Sequence, residues 1–263
     1  LKKIFDHEYK ELEKFKKEAD AIVTLDSEMS KLSDKKLQAN LLGHTNWVKT
    51  VRFSRDALLV ASGSDDKTLK LWDTYKKRLV HDFNSGEHKG AVNCVRFHPD
   101  NSCLATACFD GKIRLFDVRS KQLVQSYKEH ERPATCVSFH PSGNFLASTA
   151  YDNTIKIWDI SKESNNAFEK EYKEEGKVFS LLEFEPNVIL SAIDKTPDNI
   201  QEISQISPDY IAINCWDLNA SLEKTLFSLK GHQLRVNCLA KCNDKFFASC
   251  SNDCTIIIWN YTL

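Results

Sequence analysis

Four segments of this chain repeat one pattern at linked positions, and that repeat restricts the possible folds more than any other feature. Residues 43–73 read GHTNWVKTVRFSRDALLVASGSDDKTLKLWD, residues 87–117 EHKGAVNCVRFHPDNSCLATACFDGKIRLFD, residues 129–159 EHERPATCVSFHPSGNFLASTAYDNTIKIWD, and residues 231–260 GHQLRVNCLAKCNDKFFASCSNDCTIIIWN. His44, His88 and His130 each precede an aromatic residue by 28 positions (Trp72, Phe116, Trp158), and His232 precedes Trp259 by 27. An Asp follows the His after 22 residues in three units (Asp66, Asp110, Asp152) and after 21 in the fourth (Asp253). Four residues before each Asp stands a hydroxyl: Ser62, Thr106, Ser148 or Ser249. A period of about 40–45 residues marks a modular architecture in which each unit buries its apolar faces only against its neighbours.

Within a unit the apolar residues alternate or run in short clusters, such as VKTVRF, LLVASG, TLKLWD and RLVHDF in the first. These read as four short strands. The intervening SRD, HPD and HPSG sequences are hairpin corners, and a D-[KGN]-[TK] turn follows the second strand. A fifth unit is degenerate: VFSLLEF (178–184), NVILSAI (187–193) and YIAINCWDL (210–218) supply strands, Trp216–Asp217 closes it, and it has no matching His. Residues 194–209 stand where the other units have a tight turn and are expected to form an insertion between the second and third strands.

Four strands per unit, a GH start and a WD-type end resemble WD40 repeats, over roughly residues 41–260. The resemblance implies an all-β fold, a WD40 β-propeller, with blades at 41–73, 88–117, 130–159, 173–217 (degenerate, with the 194–209 insertion) and 232–260. Such rings usually have seven blades, and five units are visible. Two blades outside this chain are expected, with joined segments or closure by another copy as alternatives; LQANLL (37–42) would supply an outer strand of a closing blade.

A Ser, a His and an Asp recurring together suggest a hydrolase. An active site occurs once, however, and this set occurs four times. The resemblance implies a structural chain in each blade, in which Trp bonds Ser or Thr, which bonds His, which bonds Asp. Satisfying every buried polar group in this way is what a sheet interior requires. Phe116 has no N–H, so the second blade's chain is expected to stop at Thr106, and the degenerate blade is expected to be held by packing alone. No catalytic residue, cofactor site or metal site is assigned. His98–Pro99 and His140–Pro141 read as turn residues, and the eight glycines form no phosphate loop.

Residues 1–36 differ from the rest, with nine Lys, nine acids and no Gly or Pro. Leu1, Phe5, Leu12, Phe15, Ala19 and Ile22 fall near a heptad spacing that Glu8 interrupts. An amphipathic helix over about 2–22 is expected, docking on a partner or coiled coil, with a helix folded back on the propeller or a loosely ordered tail as the alternatives. The remaining residues, 37–263, are assigned to the blades.

A formal net charge of −1 gives no global attraction to nucleic acid or a membrane surface. No stretch approaches the ~20 apolar residues that span a bilayer. None of the nine cysteines falls in a C-x-x-C pair. Cys94, Cys136 and Cys238 each lie six residues after a blade His, which makes them packing positions and implies free thiols in a reducing compartment.

Partners are therefore expected to be other proteins of a multi-subunit complex. The His-bearing loops open on one face, where Trp47, Glu131, Arg132, Gln233 and Arg235 are the candidate contacts; the alternative for Trp47 is a ring packed against an adjacent blade. LGHTNWVKTVRFS, FDVRSKQLVQSYKEH and CVSFHPSGNFLAS are similar to later blades of the centriolar WD-repeat family of centrioles and basal bodies. That likeness implies a non-catalytic scaffold in a microtubule-based assembly (centriole, basal body or ciliary axoneme), a cytoplasmic, cytoskeletal location, and tubulin and ciliary or centriolar proteins as partners. A substrate-recognition subunit of a ubiquitin ligase and a scaffold of an RNA-processing complex are the alternatives.

Overall fold

Turn chemistry at the repeated corners determines where each strand stops. Ala57, Asn101 and Gly143 take positive φ in the corner after the first strand of three blades, and Lys67, Gly111, Asn153 and Cys254 do so after the second strand of four. At Gly111 glycine is required twice over. Its φ is +77°, and a Cβ there would come within 3.0 Å of the His130 carbonyl oxygen in the next blade.

The computed structural model describes residues 40–260 except 84–85, 186–187, 198–206, 219–224 and 242–244. Residues 1–42 and 43–263 form separate units. The helix expected over 2–22 therefore lies outside the described residues.

Residues 43–260 form five antiparallel sheets in chain order. The first contains β1 (Val48–Phe53), β2 (Leu59–Ser64), β3 (Leu69–Asp73) and β4 (Arg78–Asp82), and the second β5 (Val92–Phe97), β6 (Cys103–Cys108), β7 (Ile113–Asp117) and β8 (Leu123–Tyr127). The third contains β9 (Ala134–Phe139), β10 (Phe145–Ala150), β11 (Thr154–Asp159) and β12 (Phe168–Lys173). The degenerate unit supplies β13 (Lys177–Glu185), β14 (Val188–Asp194), β15 (Ile211–Asp217) and β16 (Thr225–Leu229). The last has three described strands, β17 (Val236–Lys241), β18 (Phe246–Ser251) and β19 (Ile256–Asn260). Within each sheet the strands pair in sequence order.

The first strands of successive sheets pack side by side: β1 on β5, β5 on β9, β9 on β13 and β13 on β17. The sheets thus radiate from an inner row of first strands, as propeller blades do. In the first four blades the middle strands are buried on both faces and read as apolar runs, whereas outer strands such as RLVHD and FEKEYK are polar and half-exposed. The core lies between blades. Ala61, Leu69, Leu71 and Phe83 of the first pack on Val95, Leu104 and Phe116 of the second, and each later junction repeats this arrangement.

The described residues contain five blades, which are the five units read from the sequence. Among the described residues, side chains of the first and last blades are exposed at positions that the other blades bury. Leu71, Leu115, Ile157 and Cys215 hold one position across four blades at 0–8% exposure, while Ile258 at that position of the fifth is 72% exposed. Val51 is 51% exposed, whereas Val95 and Val137 at its position are fully buried.

Candidate interaction face

Each His-bearing loop is fixed from beneath by a buried polar chain. In the first blade the Trp72 indole N–H donates to Ser62 Oγ (2.7 Å), the Ser62 hydroxyl donates to His44 Nε2 (2.7 Å), and His44 Nδ1–H donates to Asp66 (2.8 Å). Because the Asp66 carboxylate can only accept, the proton of the neutral imidazole sits on Nδ1, and Nε2 accepts from the Ser62 hydroxyl. The third blade repeats the chain through Trp158, Ser148, His130 and Asp152 at 2.8, 2.8 and 2.9 Å. The last does so through Trp259, Ser249, His232 and Asp253 at 2.8, 2.7 and 2.9 Å.

The Asp also closes its own turn. Asp66 accepts from Thr68 Oγ1 and from the Thr45 N–H. Burial raises the Asp66 carboxyl pKa, but these bonds and His44 more than reverse that and hold it far below the usual range. Asp152 is likewise lowered to about 2, because bonds from His130 and Thr154 outweigh its burial. Ser62, Ser148 and Ser249 are buried beneath the loops.

The second blade departs from the pattern. His88 Nε2 meets Thr106 Oγ1 at 3.0 Å, and the chain stops there because Phe116 has no donor. Asp110 turns away to Arg114, which grips it at 2.6 and 3.1 Å, and His88 Nδ1 has no partner. Burial, with Arg114 nearby, drops the His88 pKa to about 4, so the ring is neutral.

The degenerate blade corrects the expectation of packing alone. Glu174 takes the place of the missing His and is buried. Its carboxyl accepts from Trp216 Nε1 (2.7 Å), Asn214 Nδ2 (2.7 Å) and the Ser191 hydroxyl. Stripping its water would otherwise be costly, and three donors offset that cost. Burial still pushes its pKa above the ordinary carboxylate value. The connection holding the insertion leaves β14 and returns to β15 at the end of the sheet where other blades carry the Asp turn. Its neck is closed by Lys195 N–H donating to the Tyr210 carbonyl (2.8 Å).

Above the chains the loop backbone is fixed by a second repeated bond. The carbonyls of Trp47, Ala91, Pro133 and Arg235 accept from the N–H of Asp65, Phe109, Tyr151 and Asn252, at 2.8–3.0 Å. Side chains therefore project from a stiff base. Trp47 is 76% exposed, so its ring is not packed against an adjacent blade. Glu131, Arg132 and Gln233 are exposed as well. Arg235 is half-buried and lies over the Phe179 ring at 4.6 Å, bridging two blades. Sequence reading missed Phe109, Tyr151 and Phe179 on this face. Phe109 is 55% exposed, and Tyr151 meets Phe179 edge-on at 5.6 Å. The signal for Phe109 and Tyr151 was their place just before a turn Asp, whereas Phe179 lies on β13.

Among the described residues no group of three or more His, Cys, Asp or Glu could hold a metal. No helix among them is long and apolar enough to cross a membrane. The eight described cysteines are free thiols.

The WD domain, G-beta repeat family matches residues 35–73, 78–117, 121–159 and 223–260. The chain belongs to the WD40 repeat family. Its WD40 units are similar to the nuclear distribution protein PAC1 of Debaryomyces hansenii, at 41% identity over 61 residues (22% of this chain, 12% of that protein). They are 36% identical over 61 residues to the small ribosomal subunit protein RACK1 of Neurospora crassa (23% of this chain, 19% of that protein). A third relative is a probable E3 ubiquitin ligase complex SCF subunit, sconB, of Aspergillus clavatus, 42% identical over 52 residues (20% of this chain, 7% of that protein). The chain thus spans less than a fifth of each of these curated relatives. WD40 repeats build protein-interaction scaffolds, and the fold and the fixed loops described here are those of such a scaffold.

Proposed function

We propose that this WD40 protein is a non-catalytic scaffold that binds partner proteins through the face carrying the His-bearing loops, within a microtubule-based assembly such as a centriole, basal body or ciliary axoneme. The observation that carries the first part is Trp47: a large aromatic ring 76% exposed on a backbone held rigid from below. Aromatic and Arg side chains on preorganised loops are the usual anchors of protein interfaces, because little ordering entropy is lost on binding. Arg132, Glu131 and Gln233 surround such anchors with polar groups that select the partner. The second part rests on the likeness of residues 42–54, 116–130 and 136–148 to the centriolar WD-repeat family, and it implies a cytoplasmic, cytoskeletal location with tubulin, ciliary or centriolar proteins as partners.

A second reading, substrate recognition for a ubiquitin ligase, is favoured by the likeness to the sconB subunit. Imaging of the tagged full-length protein in its own cells separates the two. Signal coincident with centriolar or axonemal microtubules is expected, and diffuse signal that accumulates with ligase subunits would replace the first reading with the second.

A further inference from the structure

The far ends of the first strands carry a cleft that the scaffold reading does not use. It has a volume of about 530 Å³ and is bounded by Arg52, Arg55, Arg96, Phe97, Asn101 and Pro141, among others. It lies at the hairpin corners of the first three blades, opposite the His-bearing loops, because each first strand runs from the loop to the corner.

Arg52 and Arg96 hold the same register position on the neighbouring strands β1 and β5. Each is anchored the same way, its Nη1 donating to the carbonyl of the preceding residue, Val51 (2.8 Å) or Val95 (2.9 Å). Arg55 stands at the rim, where its N–H donates to Asn101 Oδ1 and ties the two corners together. No described carboxylate pairs with any of the three guanidinium groups. The adjacent carboxylates are engaged in their own turns, Asp56 with Ser54 Oγ and the Leu58 N–H, and Asp100 with the His98 ring and the Ser102 N–H.

Arg52 and Arg96 are half-buried and Arg55 is exposed, whereas the buried cations elsewhere among the described residues each have a carboxylate partner. Lys70 pairs with Asp82, Arg114 with Asp110 and Lys156 with Glu171. Among the described residues, the acidic group hydrogen-bonded to the cluster is a thiol: Arg96 Nη1 donates to Cys94 Sγ at 3.2 Å. The Cys136 contact and the Arg96 charge outweigh burial and hold the Cys94 thiol below its usual range. A thiolate there still leaves two guanidinium charges unmatched. Guanidinium forks fit carboxylates bidentately, and a concave wall of low dielectric strengthens the attraction.

We propose that this cleft is an anion-binding site that takes the carboxylate side chains of an acidic segment of a partner protein. The two forks clamp one carboxylate, Arg55 meets a second at the rim, and Phe97 and Pro141 cover the methylene stems of the bound residues. The site is independent of the loop face and of the assembly that the face serves.

The test is fluorescence anisotropy of a fluorescein-labelled hexaglutamate peptide with the full chain at low ionic strength. Binding is expected, weakening steeply as salt rises. The double variant Arg52→Gln/Arg55→Gln is expected to weaken it about tenfold or more, Arg52→Lys/Arg55→Lys to weaken it less because the charge stays while the bidentate fork is lost, and Trp47→Ala to leave it unchanged. Arg96 also supports its own strand, so the exposed Arg55→Gln single variant, with an unchanged thermal melt, gives the reading that folding does not confound; a severalfold loss is expected. No binding by the wild-type chain, equal binding by Arg52→Gln/Arg55→Gln, or an equal loss with Trp47→Ala would each overturn the proposal.

Discussion

Glu174 offers the sharpest test of how the degenerate blade is held together. Replacing it with Ala removes the acceptor of three donors. The Trp216 N–H falls back on Ser191 Oγ, already 3.1 Å away, and the Ser191 hydroxyl on the Asn214 carbonyl at 3.5 Å. Asn214 Nδ2 loses its acceptor outright. One stranded buried donor costs about 1–3 kcal/mol, and the two weakened bonds and the vacated side-chain volume add to it, so a loss of about 3–4 kcal/mol is expected. Glu174→Gln keeps one oxygen and is expected to lose about 1–2 kcal/mol.

The two variants also differ in pH dependence. Burial raises the Glu174 pKa above its unfolded value near 4.5, so the folded chain holds that proton more tightly than the unfolded one. Its contribution is fully present below pH 4.5 and declines as pH rises through the folded pKa. The deficit of Glu174→Gln relative to wild type should therefore shrink as pH rises. Urea unfolding followed by tryptophan fluorescence at several pH values measures both effects. A Glu174→Ala loss below about 1 kcal/mol, or a Gln deficit that grows with pH, would refute the reasoning.

Further predictions follow from the other blades. Trp158→Ala is expected to lose about 3–5 kcal/mol, because the ring is buried and stacked on Tyr127, while Trp158→Phe should cost far less, since the second blade already uses Phe116; thermal melts check both. Ile157→Ala should cost about 2–5 kcal/mol but Ile258→Ala, at the matching exposed position, only about 0.5 kcal/mol or less; equal costs would mean that the end face is covered. His88 titrates near 4 folded and 6.5 unfolded, so its stabilisation is present above pH 6.5 and is lost as pH falls toward 4, up to about 3 kcal/mol; a His88→Leu variant should show a flatter stability–pH profile across that window, and parallel profiles would contradict the assignment.

The blades were legible in the sequence because their signal is redundant. A His, a hydroxyl, an Asp and an aromatic ring recur at linked spacings, each demanded by the same hydrogen-bond chain, so one substitution such as Phe116 does not hide the unit. Glu174 was not legible because carboxylate and imidazole share no pattern. In retrospect it stands 17 residues before Ser191, the interval that separates His232 from Ser249. The diversion of Asp110 to Arg114 was hidden for a different reason, since both Lys and Arg occupy that strand position and only the guanidinium reaches back to the turn. Exposure was the least legible property. Trp47, just before β1, and Trp72, in β3 of the same blade, are the same residue type, and only the packing of neighbours leaves one in solvent and buries the other. The arginine cleft joins residues 44 positions apart, which become neighbours only once β1 and β5 lie side by side.

The central claim, that the loop face carries the binding function, is tested most directly by affinity purification of the tagged full-length protein from its own cells beside its Trp47→Ala/Arg132→Ala variant, with quantitative mass spectrometry of both. The account predicts that tubulin and centriolar or ciliary proteins are enriched with the wild type and lost with the variant while its thermal melt is unchanged. An identical partner set for the two proteins would contradict it.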